Sequence, residues 1–387
     1  MRVALFSSAS MLSYGGGEQG LIVACNYLQR QKVEVVIFDY DYAPIRRIST
    51  KTLRRLTNSP IIPYSGLHLF GVEELPLTRS YLAALVAMRG FDAIYTTNTS
   101  LLHTISVLFL SWVFRKRVIF EVSDPSFDPV ALIYTSLPER VMKLMRMSVI
   151  SRFPNIRVLN ARDLRRFKRR NNQVFLLAPP SKEFRPIIKE SDEFRVLFVG
   201  RSDLIQKGID LLSDVVNETL RSNRQIRFAV LGSGGTGERV LAKLNSLYPE
   251  NFEWVGFVAQ PDLSRYLETS QLFISTSRYE AFPMNILEAQ RNGLPVVAFD
   301  IPGSSDILKS RDQGMLVVPF DAQLFVSSIL NYYEKWKSNP LAYANDRQTI
   351  IEHVGRMFRN DDLLKGFLNI LRGGRAWRHE QAGLAVS

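Results

Sequence analysis

Two apolar runs on either side of a helical pattern constrain the fold of this chain more than any other feature of its sequence. Residues 272 to 276 have the length and character of a buried strand, and residues 295 to 299 form a second such run. Between them, Pro283 is typical of a helix start and Gly293 of a helix end. The order strand, loop, helix, strand predicts a parallel α/β unit, and in such units ligands bind at the carboxyl ends of the strands.

Two carboxylates in this stretch suggest the kind of ligand. Glu280 lies on the loop after the first predicted strand, and Glu288 lies within the helix. Ionised carboxylates only accept hydrogen bonds, whereas a helix start attracts anions. A ligand with both hydroxyls and phosphate, such as a nucleotide sugar, fits both features. An ordinary strand-helix-strand unit with one surface carboxylate and one helix carboxylate is the alternative.

The same stretch resembles a known family. Two glutamates separated by seven residues, then Ala-x-x-x-Gly-x-Pro-Val-Val-Ala and a Pro-Gly turn, resemble the retaining GT-B glycosyltransferases of family 4, or group 1. The resemblance implies an α/β protein of the GT-B type, with two doubly wound Rossmann-like domains facing a central cleft. It implies an acceptor-binding domain at 1–180 and a nucleotide-sugar-binding domain at 181–360. Residues 361–387 would then be a helix packed back on the first domain, followed by a flexible tail.

The resemblance also assigns roles to residues of the second half. Glu280 would bond the sugar hydroxyls and position the anomeric carbon, and Glu288 would bind the ribose. Arg201 and Lys207 resemble the paired cations that neutralise the departing diphosphate, which requires no metal and no cofactor beyond the substrate. The implied reaction is a hexosyl transfer with retention. The remaining donor-binding residues are Gly200, Phe282, Met284 and Asn285.

A Gly-Gly-Gly-Glu segment after the first predicted strand resembles the amino-terminal glycine loop of the same enzymes. Without Cβ atoms, Gly16 and Gly17 would let the backbone approach the donor diphosphate. Glu18 and Asp124 are the candidates on the acceptor side. Many family members have a His-Asp pair after the strand that precedes Asp124, and here Ser123 stands at the histidine position.

This segment also allows a different class of function. Gly15, Gly17 and Gly20 match the dinucleotide pattern G-x-G-x-x-G, and Asp39 lies nineteen residues beyond. A dinucleotide-dependent oxidoreductase therefore stays open, although Gly15 lies about nine residues past the strand end and the dinucleotide turn follows its strand directly. Asp39-Tyr40-Asp41 also imitates a metal-binding Asp-x-Asp, which we interpret as a surface loop.

The charge of the chain is concentrated in its first half. Residues 1–180 contain 24 Lys and Arg against 12 Asp and Glu, whereas residues 181–387 contain 25 against 25. A basic half predicts an anionic partner, such as a membrane surface or a phosphorylated lipid, and leaves open a non-enzymatic polyanion-binding protein. Because aromatic residues are sparse among these arginines, we expect no nucleic-acid partner.

Two helical segments of the basic half bear on the question of a membrane. Residues 139–153 predict a basic amphipathic helix, which would either contact anionic lipid or lie inside with a solvated basic face. Residues 101–114 form an apolar run that is too short to cross a bilayer and is interrupted by His103, so we expect a buried helix. The first residues predict a strand and not a signal peptide. We therefore expect a cytoplasmic protein that can associate with the inner face of the membrane, bind a nucleotide-sugar donor and glycosylate a glycan or lipid-linked acceptor.

Few residues of the chain are suited to bind a metal. Cys25 is the single cysteine, which excludes internal disulfides and a cysteine-based zinc site. The four histidines are far apart in the sequence and show no ligand spacing. We therefore predict that the chain has no metal site.

Overall fold

The computed structural model describes residues 1–7, 10–13, 15–40, 48–65, 67–69, 72–75, 78–97, 100–169, 172–181, 187–189, 191–258 and 260–374. Contacts divide the chain into two compact units. The first comprises Met1–Phe127, Thr135–Lys182 and Phe358–Ser387, and the second comprises Asp128–Tyr134 and Glu183–Met357. The short segment Asp128–Tyr134 thus belongs to the second unit, whereas the residues on either side of it belong to the first. Its Tyr134 ring lies 5.9 Å from the guanidinium carbon of Arg278.

The strands and helices alternate along most of the chain. The strands are β1 Arg2–Phe6, β2 Glu34–Tyr40, β3 Ile61–Tyr64, β4 Leu67–Leu69, β5 Val72–Leu75, β6 Ala93–Thr96, β7 Arg117–Val122, β8 Asn155–Val158, β9 Gln173–Leu176, β10 Phe194–Val199, β11 Ile226–Leu231, β12 Phe252–Gly256, β13 Leu272–Ser275, β14 Val296–Phe299 and β15 Gly314–Val317. The α-helices are α1 Gly16–Arg30, α2 Thr50–Leu56, α3 Arg79–Ala87, α4 Leu101–Val113, α5 Pro129–Ile133, α6 Leu137–Ile150, α7 Ala161–Phe167, α8 Ile209–Ser222, α9 Glu238–Leu247, α10 Gln260–Thr269, α11 Met284–Arg291, α12 Ser304–Ile307, α13 Ala322–Ser338, α14 Pro340–Met357 and α15 Asn360–Arg372. Within the described ranges, none of these helices has the length and apolar character that a bilayer crossing requires.

The first unit is built on a seven-stranded sheet in the order β3-β2-β1-β6-β7-β8-β9, with all neighbouring strands parallel. Crossover connections between parallel strands are right-handed, so the direction in which the chain moves across the sheet decides which face a helix covers. From β6 to β8 the chain moves one way, which places α4 and α6 on one face. From β1 to β3 it moves the other way, which places α1 and α2 on the opposite face.

Helix α15 packs on the first unit although it comes last in the sequence. It contacts α1, β6 and β7. The ring of Phe367 lies 4.9 Å from the Tyr95 ring, and the Arg157 guanidinium lies over Phe367 at 5.3 Å. Arg157 is fully buried, donates a 2.7 Å hydrogen bond to the Tyr95 hydroxyl, and pairs with Glu121. This paired charge ties β6, β7 and β8 together beneath α15.

The apolar run at 101–114 forms a helix, but the prediction that this helix is buried is wrong for its most apolar side. The residues of α4 that face the core are His103, Thr104, Val107 and Ser111. Its exposed residues are Ile105, Phe109, Trp112 and Val113. The His103 ring lies between two hydroxyls, with Nδ1 at 3.2 Å from Tyr81 and Nε2 at 3.0 Å from Thr96. These polar contacts in the core fix the rotation of the helix.

The second unit has a six-stranded parallel sheet in the order β12-β11-β10-β13-β14-β15. Its core is formed by the apolar strand residues together with the inner faces of α8 and α13. The predicted strand, helix and strand are present as β13, α11 and β14. The helix begins one residue later than predicted, because Pro283 is its N-cap residue. Gly293 ends it with a φ of +74°, a left-handed conformation that favours glycine.

We predict that the first unit loses stability as the pH falls below about 6.5. Burial lowers the pKa of His103 from 6.5 to about 3. Between about pH 6.5 and about pH 3, the unfolded chain therefore takes up a proton at His103 and the folded chain does not. This difference favours unfolding by up to about 1.4 kcal/mol per pH unit. Denaturant titrations between pH 7 and pH 4 measure this slope. A His103→Gln variant should show a smaller slope, and an unchanged slope would contradict the assignment to His103.

Candidate functional site

The loops of the predicted site converge where the strand order of the second sheet changes direction. From β10 the chain proceeds to β11 and β12 on one side, and it then returns to β13 on the other side. The carboxyl ends of β10 and β13 therefore form a topological switch point, the place where open α/β sheets bind ligands. The loops at 200–208 and 276–283 follow these two strands.

Lys207 and Glu280 form an ion pair at this switch point. The Nζ of Lys207 lies 2.5 Å from Oε1 of Glu280, and the side chains are 13% and 7% exposed. Ser277 Oγ donates a second hydrogen bond to the same oxygen at 2.8 Å. Within the described ranges, Oε2 of Glu280 accepts no hydrogen bond. The structure thus brings together two of the three predicted catalytic residues and leaves one carboxylate oxygen available.

The position of Lys207 depends on the next residue. Gly208 has a φ of +64°, and a Cβ atom there would lie 2.2 Å from the carbonyl oxygen of Thr276. The hydroxyl of Thr276 donates to the carbonyl of Lys207 at 2.9 Å. Because Gly208 lacks a side chain, the loop after β10 can lie against the end of β13, which holds Lys207 beside Glu280.

Arg201, the third predicted catalytic residue, is not a member of this ion pair. Its side chain is exposed and donates a hydrogen bond to the side-chain oxygen of Gln206. In the part of the chain that the structure describes, Arg201 forms no ion pair with Glu280. Gly200 donates its N–H to the carbonyl of Leu231 at 2.9 Å, which continues the sheet beyond β10.

A second glycine segment packs against the loop that carries Arg201. Gly232 has a φ of +132°, and a Cβ atom there would lie 1.7 Å from the carbonyl oxygen of Gly200. Gly237 donates its N–H to the carbonyl of Ser202 at 2.6 Å. A Cβ on Gly235 would lie 2.3 Å from the same carbonyl group. These glycines are therefore required for close packing of one loop on another.

The first turn of α11 completes the group of predicted donor-binding residues in the second unit. Asn285 donates from Nδ2 to the carbonyl of Val199 at 2.6 Å, which holds the helix start at the end of β10. Phe282 is buried, and Met284 and Asn285 are half-buried. The first N–H groups of an α-helix have no acceptor within the helix, so those of Met284 and Asn285 can bind an anion. Glu288 lies one turn further along the helix and is half-buried.

Arg278 is part of this site, and the sequence analysis missed it. Its guanidinium forms two hydrogen bonds with Asp210, at 2.8 and 2.5 Å, and donates to the carbonyl of Leu204 at 2.9 Å. Burial alone would raise the pKa of Asp210, but hydrogen bonding to Arg278 and its positive charge hold that pKa below the usual value. The pair fastens the 200–208 loop to the end of β13. The two residues are far apart in the sequence, and nothing in their spacing indicates the contact.

The predicted site residues of the first half lie in the first unit. Gly16, Gly17 and Glu18 form the first turn of α1, so they belong to a helix and not to a loop before it. Gly17 is exposed, and a Cβ there would meet no atom within 4 Å. Asp124 faces the buried Arg146, with 3.8 Å between carboxylate and guanidinium atoms.

Asp39 has a structural environment that does not suit a ribose ligand. It is buried at the end of β2, so the interpretation of residues 39–41 as a surface loop is wrong for this residue. Its carboxylate accepts hydrogen bonds from Ser7 Oγ, Ser10 Oγ and the Met11 N–H at 3.1, 3.2 and 2.8 Å. Asp41 lies outside the described residues. No cluster of three metal-ligating side chains occurs in the portion described.

Gly15 and Gly20, the outer glycines of the dinucleotide-like pattern, also have structural roles. A Cβ on Gly20 would lie 3.0 Å from the carbonyl oxygen of Pro180, so the residue permits close packing of α1 on the segment after β9. Gly15 is the N-cap of α1. The environment of Asp39, whose buried carboxylate is bound by Ser7, Ser10 and Met11, argues against the dinucleotide interpretation.

Comparison with known proteins finds a family match in the second half of the chain. Residues 181–349 match the family model "Glycosyl transferases group 1". This glycosyltransferase match covers less than half of the chain and includes β10 to β15, Lys207 and Glu280.

Curated relatives cover a similar part of the chain. An uncharacterised 41.2 kDa protein of the Klebsiella pneumoniae cps region is 26% identical over 47% of this chain and 47% of its own length. A poly(ribitol-phosphate) α-N-acetylglucosaminyltransferase of Staphylococcus aureus is 26% identical over 42% of this chain and 32% of its own length. A 2-deoxystreptamine N-acetyl-D-glucosaminyltransferase of Niallia circulans is 27% identical over 48% and 46%. The chain spans about half or less of the length of these relatives.

Solved structures match nearly the whole chain in fold. The crystal structure of TarM has a TM-score of 0.74 at 12% identity, covering 96% of this chain and 99% of that one. HepE of Anabaena, in complex with UDP-glucose, has a TM-score of 0.72 at 17% identity, covering 96% and 99%. These likenesses confirm the predicted fold class, an α/β protein of the GT-B type with two Rossmann-like domains.

We predict that Gly232→Ala destabilises the second unit by at least about 2 kcal/mol, because it strains the left-handed backbone and forces the 200–203 loop away. Equilibrium unfolding measures the effect. Gly355→Ala is the matched control, because a Cβ there meets no atom within 4 Å on helix α14. That control should be neutral or stabilising by up to about 1 kcal/mol. Equal effects of the two substitutions would contradict the packing role of Gly232.

Proposed function

We propose that this chain is a retaining, metal-independent hexosyltransferase of glycosyltransferase family 4, which moves a sugar from a nucleoside-diphosphate sugar to a glycan, lipid-linked or phosphorylated acceptor. The observation that carries the proposal is the Lys207–Glu280 pair at the switch point of the second sheet, 2.5 Å between Nζ and Oε1. This pair lies within the segment that matches the glycosyltransferase model.

The donor diphosphate would bind between the Lys207 ammonium and the first turn of α11. An ammonium is a compact point charge, and the free N–H groups of a helix start add partial positive charge directed at an anion. The exposed Arg201 side chain would add a bidentate phosphate contact when the donor is bound. These groups would stabilise the negative charge that develops on the leaving diphosphate without a metal ion.

Glu280 would have two tasks, one for each carboxylate oxygen. Oε1 holds Lys207 and accepts from Ser277, which orients the carboxylate. Oε2 would accept a hydrogen bond from a hydroxyl of the donor sugar, which positions the anomeric carbon. Glu288 would accept hydrogen bonds from the ribose. In the transfer, the bond from the anomeric carbon to the diphosphate oxygen breaks and the bond to the acceptor oxygen forms on the same face, while the acceptor proton passes to the leaving phosphate.

The relatives indicate which donor to test first. The similar S. aureus and N. circulans proteins are named as N-acetylglucosaminyltransferases, and several of the similar structures contain UDP. We therefore expect UDP to be the preferred nucleotide, with glucose or N-acetylglucosamine as the sugar. A lipid-linked acceptor would bring the enzyme to a membrane surface.

Ligand-dependent stability tests the donor site. UDP at a hundred times its dissociation constant should stabilise the protein by roughly 2.7 kcal/mol, which raises the unfolding temperature visibly. UDP, GDP, ADP and NADH are compared in turn. Glu288→Ala should abolish the effect, and the control Glu218→Ala, at an exposed carboxylate of α8, should retain it. Stabilisation by NADH alone, or by none of the four, would contradict the proposed donor site.

Kinetics of Glu280→Gln test the role of the carboxylate. The substitution keeps the shape of the side chain but removes the charge that holds Lys207. We expect kcat to fall by about a hundredfold or more, while UDP still stabilises the protein. An unchanged kcat with a retained UDP effect would show that Glu280 has no part in the transfer.

A further inference from the structure

Three helices of the first unit expose apolar side chains where surface helices normally expose polar ones. On α4, Phe109 and Trp112 are 58% and 77% exposed, and on α6 the most exposed is Leu137 at 71%. The remaining large apolar residues exposed on these helices are Leu82 and Val86 of α3, Ile105 and Val113 of α4, and Val141, Leu144 and Met145 of α6. Contiguous apolar patches on a soluble surface mark interaction sites. We name these ten residues the apolar face.

The three helices lie on one side of the first sheet. The chain moves across the sheet in the same direction from β3 to β6, from β6 to β7 and from β7 to β8, so right-handed crossovers place α3, α4 and α6 on a common face. Helix α4 contacts both α3 and α6. The apolar face therefore lies on the outside of one layer of neighbouring helices, while α1, α2 and α15 cover the opposite side of the sheet.

Polar contacts in the core prevent these helices from turning their apolar sides inward. His103 of α4 is buried between the Tyr81 and Thr96 hydroxyls. Arg146 of α6 is buried as well, 3.8 Å from the Asp124 carboxylate and 5.2 Å from the centre of the Phe127 ring. Rotating either helix would leave a buried polar group without its partner, which is costly. The prediction that residues 139–153 form an internal helix with a solvated basic face is thus wrong, because the exposed side is apolar.

Cations border the apolar face. Arg79 and Arg89 lie at the two ends of the Leu82–Val86 stripe of α3. At the end of α4, a groove is lined by apolar residues and by three cations: Leu108, Trp112, Val113, Pro154, Arg115, Lys116 and Arg152. Within the described ranges, the Arg115 and Lys116 side chains have no hydrogen-bond or ion-pair partner. Glu139 is the one acidic residue in the sequences of α3, α4 and α6.

We propose that the apolar face binds the surface of an anionic phospholipid bilayer. Phe109, Trp112 and Leu144 would lie at the level of the headgroups, where aromatic rings and short apolar side chains are favoured. The groove at the end of α4 would receive a lipid phosphate between Arg115, Lys116 and Arg152. The inference is independent of the proposed transfer reaction, because it requires no donor or acceptor.

The charge pattern favours a bilayer over a second copy of the chain. A symmetric dimer through this face would bring the same patch of each copy together, so that the bordering cations face one another. An anionic lipid surface attracts each nearby Lys or Arg by about 1 kcal/mol, a factor of about five in binding. The headgroup region of a bilayer also accommodates the apolar side chains. An acidic protein surface would supply the negative charge but no apolar layer into which these side chains could insert.

Vesicle co-sedimentation tests the proposal directly on the full chain. Vesicles of phosphatidylcholine alone are compared with vesicles that also contain phosphatidylglycerol. One variant, Phe109→Ser with Trp112→Ser, removes apolar contact, and another, Arg115→Glu with Lys116→Glu, reverses charge. Their controls are Leu341→Ser, an exposed apolar residue of α14, and Arg54→Glu with Arg55→Glu, exposed cations of α2 on the opposite face of the sheet.

The expected result is binding only to vesicles with phosphatidylglycerol, a decrease with added salt, and a loss of at least about tenfold in both test variants. The controls should bind like the wild type. Because Phe109, Trp112 and Arg115 are exposed and Lys116 is half-buried, the variants should keep the wild-type unfolding temperature and UDP response. Binding to neutral vesicles alone, equal binding by the test variants, or a serine variant that changes a dimer into a monomer would each overturn the proposal.

Discussion

The ion pair between Lys207 and Glu280 is the contact on which the arrangement of the candidate site depends. It joins the loops after β10 and β13, and both of its members are largely removed from water. A buried charge without its partner is strongly destabilising, so the loops can meet only if both side chains arrive together. Gly208 permits this approach, and Arg278 secures it from the other side by binding Asp210 and the carbonyl of Leu204. The site is thus a set of loops held by paired charges.

The same kind of interaction organises the first unit, with a different outcome. Arg157 is paired with Glu121 and Tyr95 beneath α15, and Arg146 is paired with Asp124 beneath α6. Arg157 belongs to a strand, whereas Arg146 belongs to α6 and enters the interior because the Asp124 carboxylate lies there, which leaves the apolar residues of α6 on the outside. In the second unit buried charges hold the loops of the candidate site. In the first unit they set the rotation of helices on a sheet, and therefore the character of its surface.

Much of the second half could be predicted from the sequence, because its signals are local. The strand, helix and strand around Glu280 follow from apolar runs, Pro283 and Gly293, and each lies within a few residues of its predicted place. The family resemblance assigns site roles to Lys207 and Glu280, and the ion pair between them is seen only in the structure. Arg278 could not be found in this way. The resemblance assigns no role to Arg278 or Asp210, and only the folded loops show that the two side chains meet.

The first half shows what a periodic pattern leaves undecided. A repeat of apolar residues at 105, 109, 112 and 113 defines one side of a helix, but it does not state whether that side faces the core or the solvent. The usual inference, that the apolar side is buried, fails for α4 because the sheet beneath it offers the Thr96 hydroxyl, and α3 the Tyr81 hydroxyl, to His103. A histidine that interrupts an apolar run is then the residue that points inward. Which side of α4 faces the core depends on hydrogen-bond partners from other elements, so the orientation of the helix can be determined only from the folded structure.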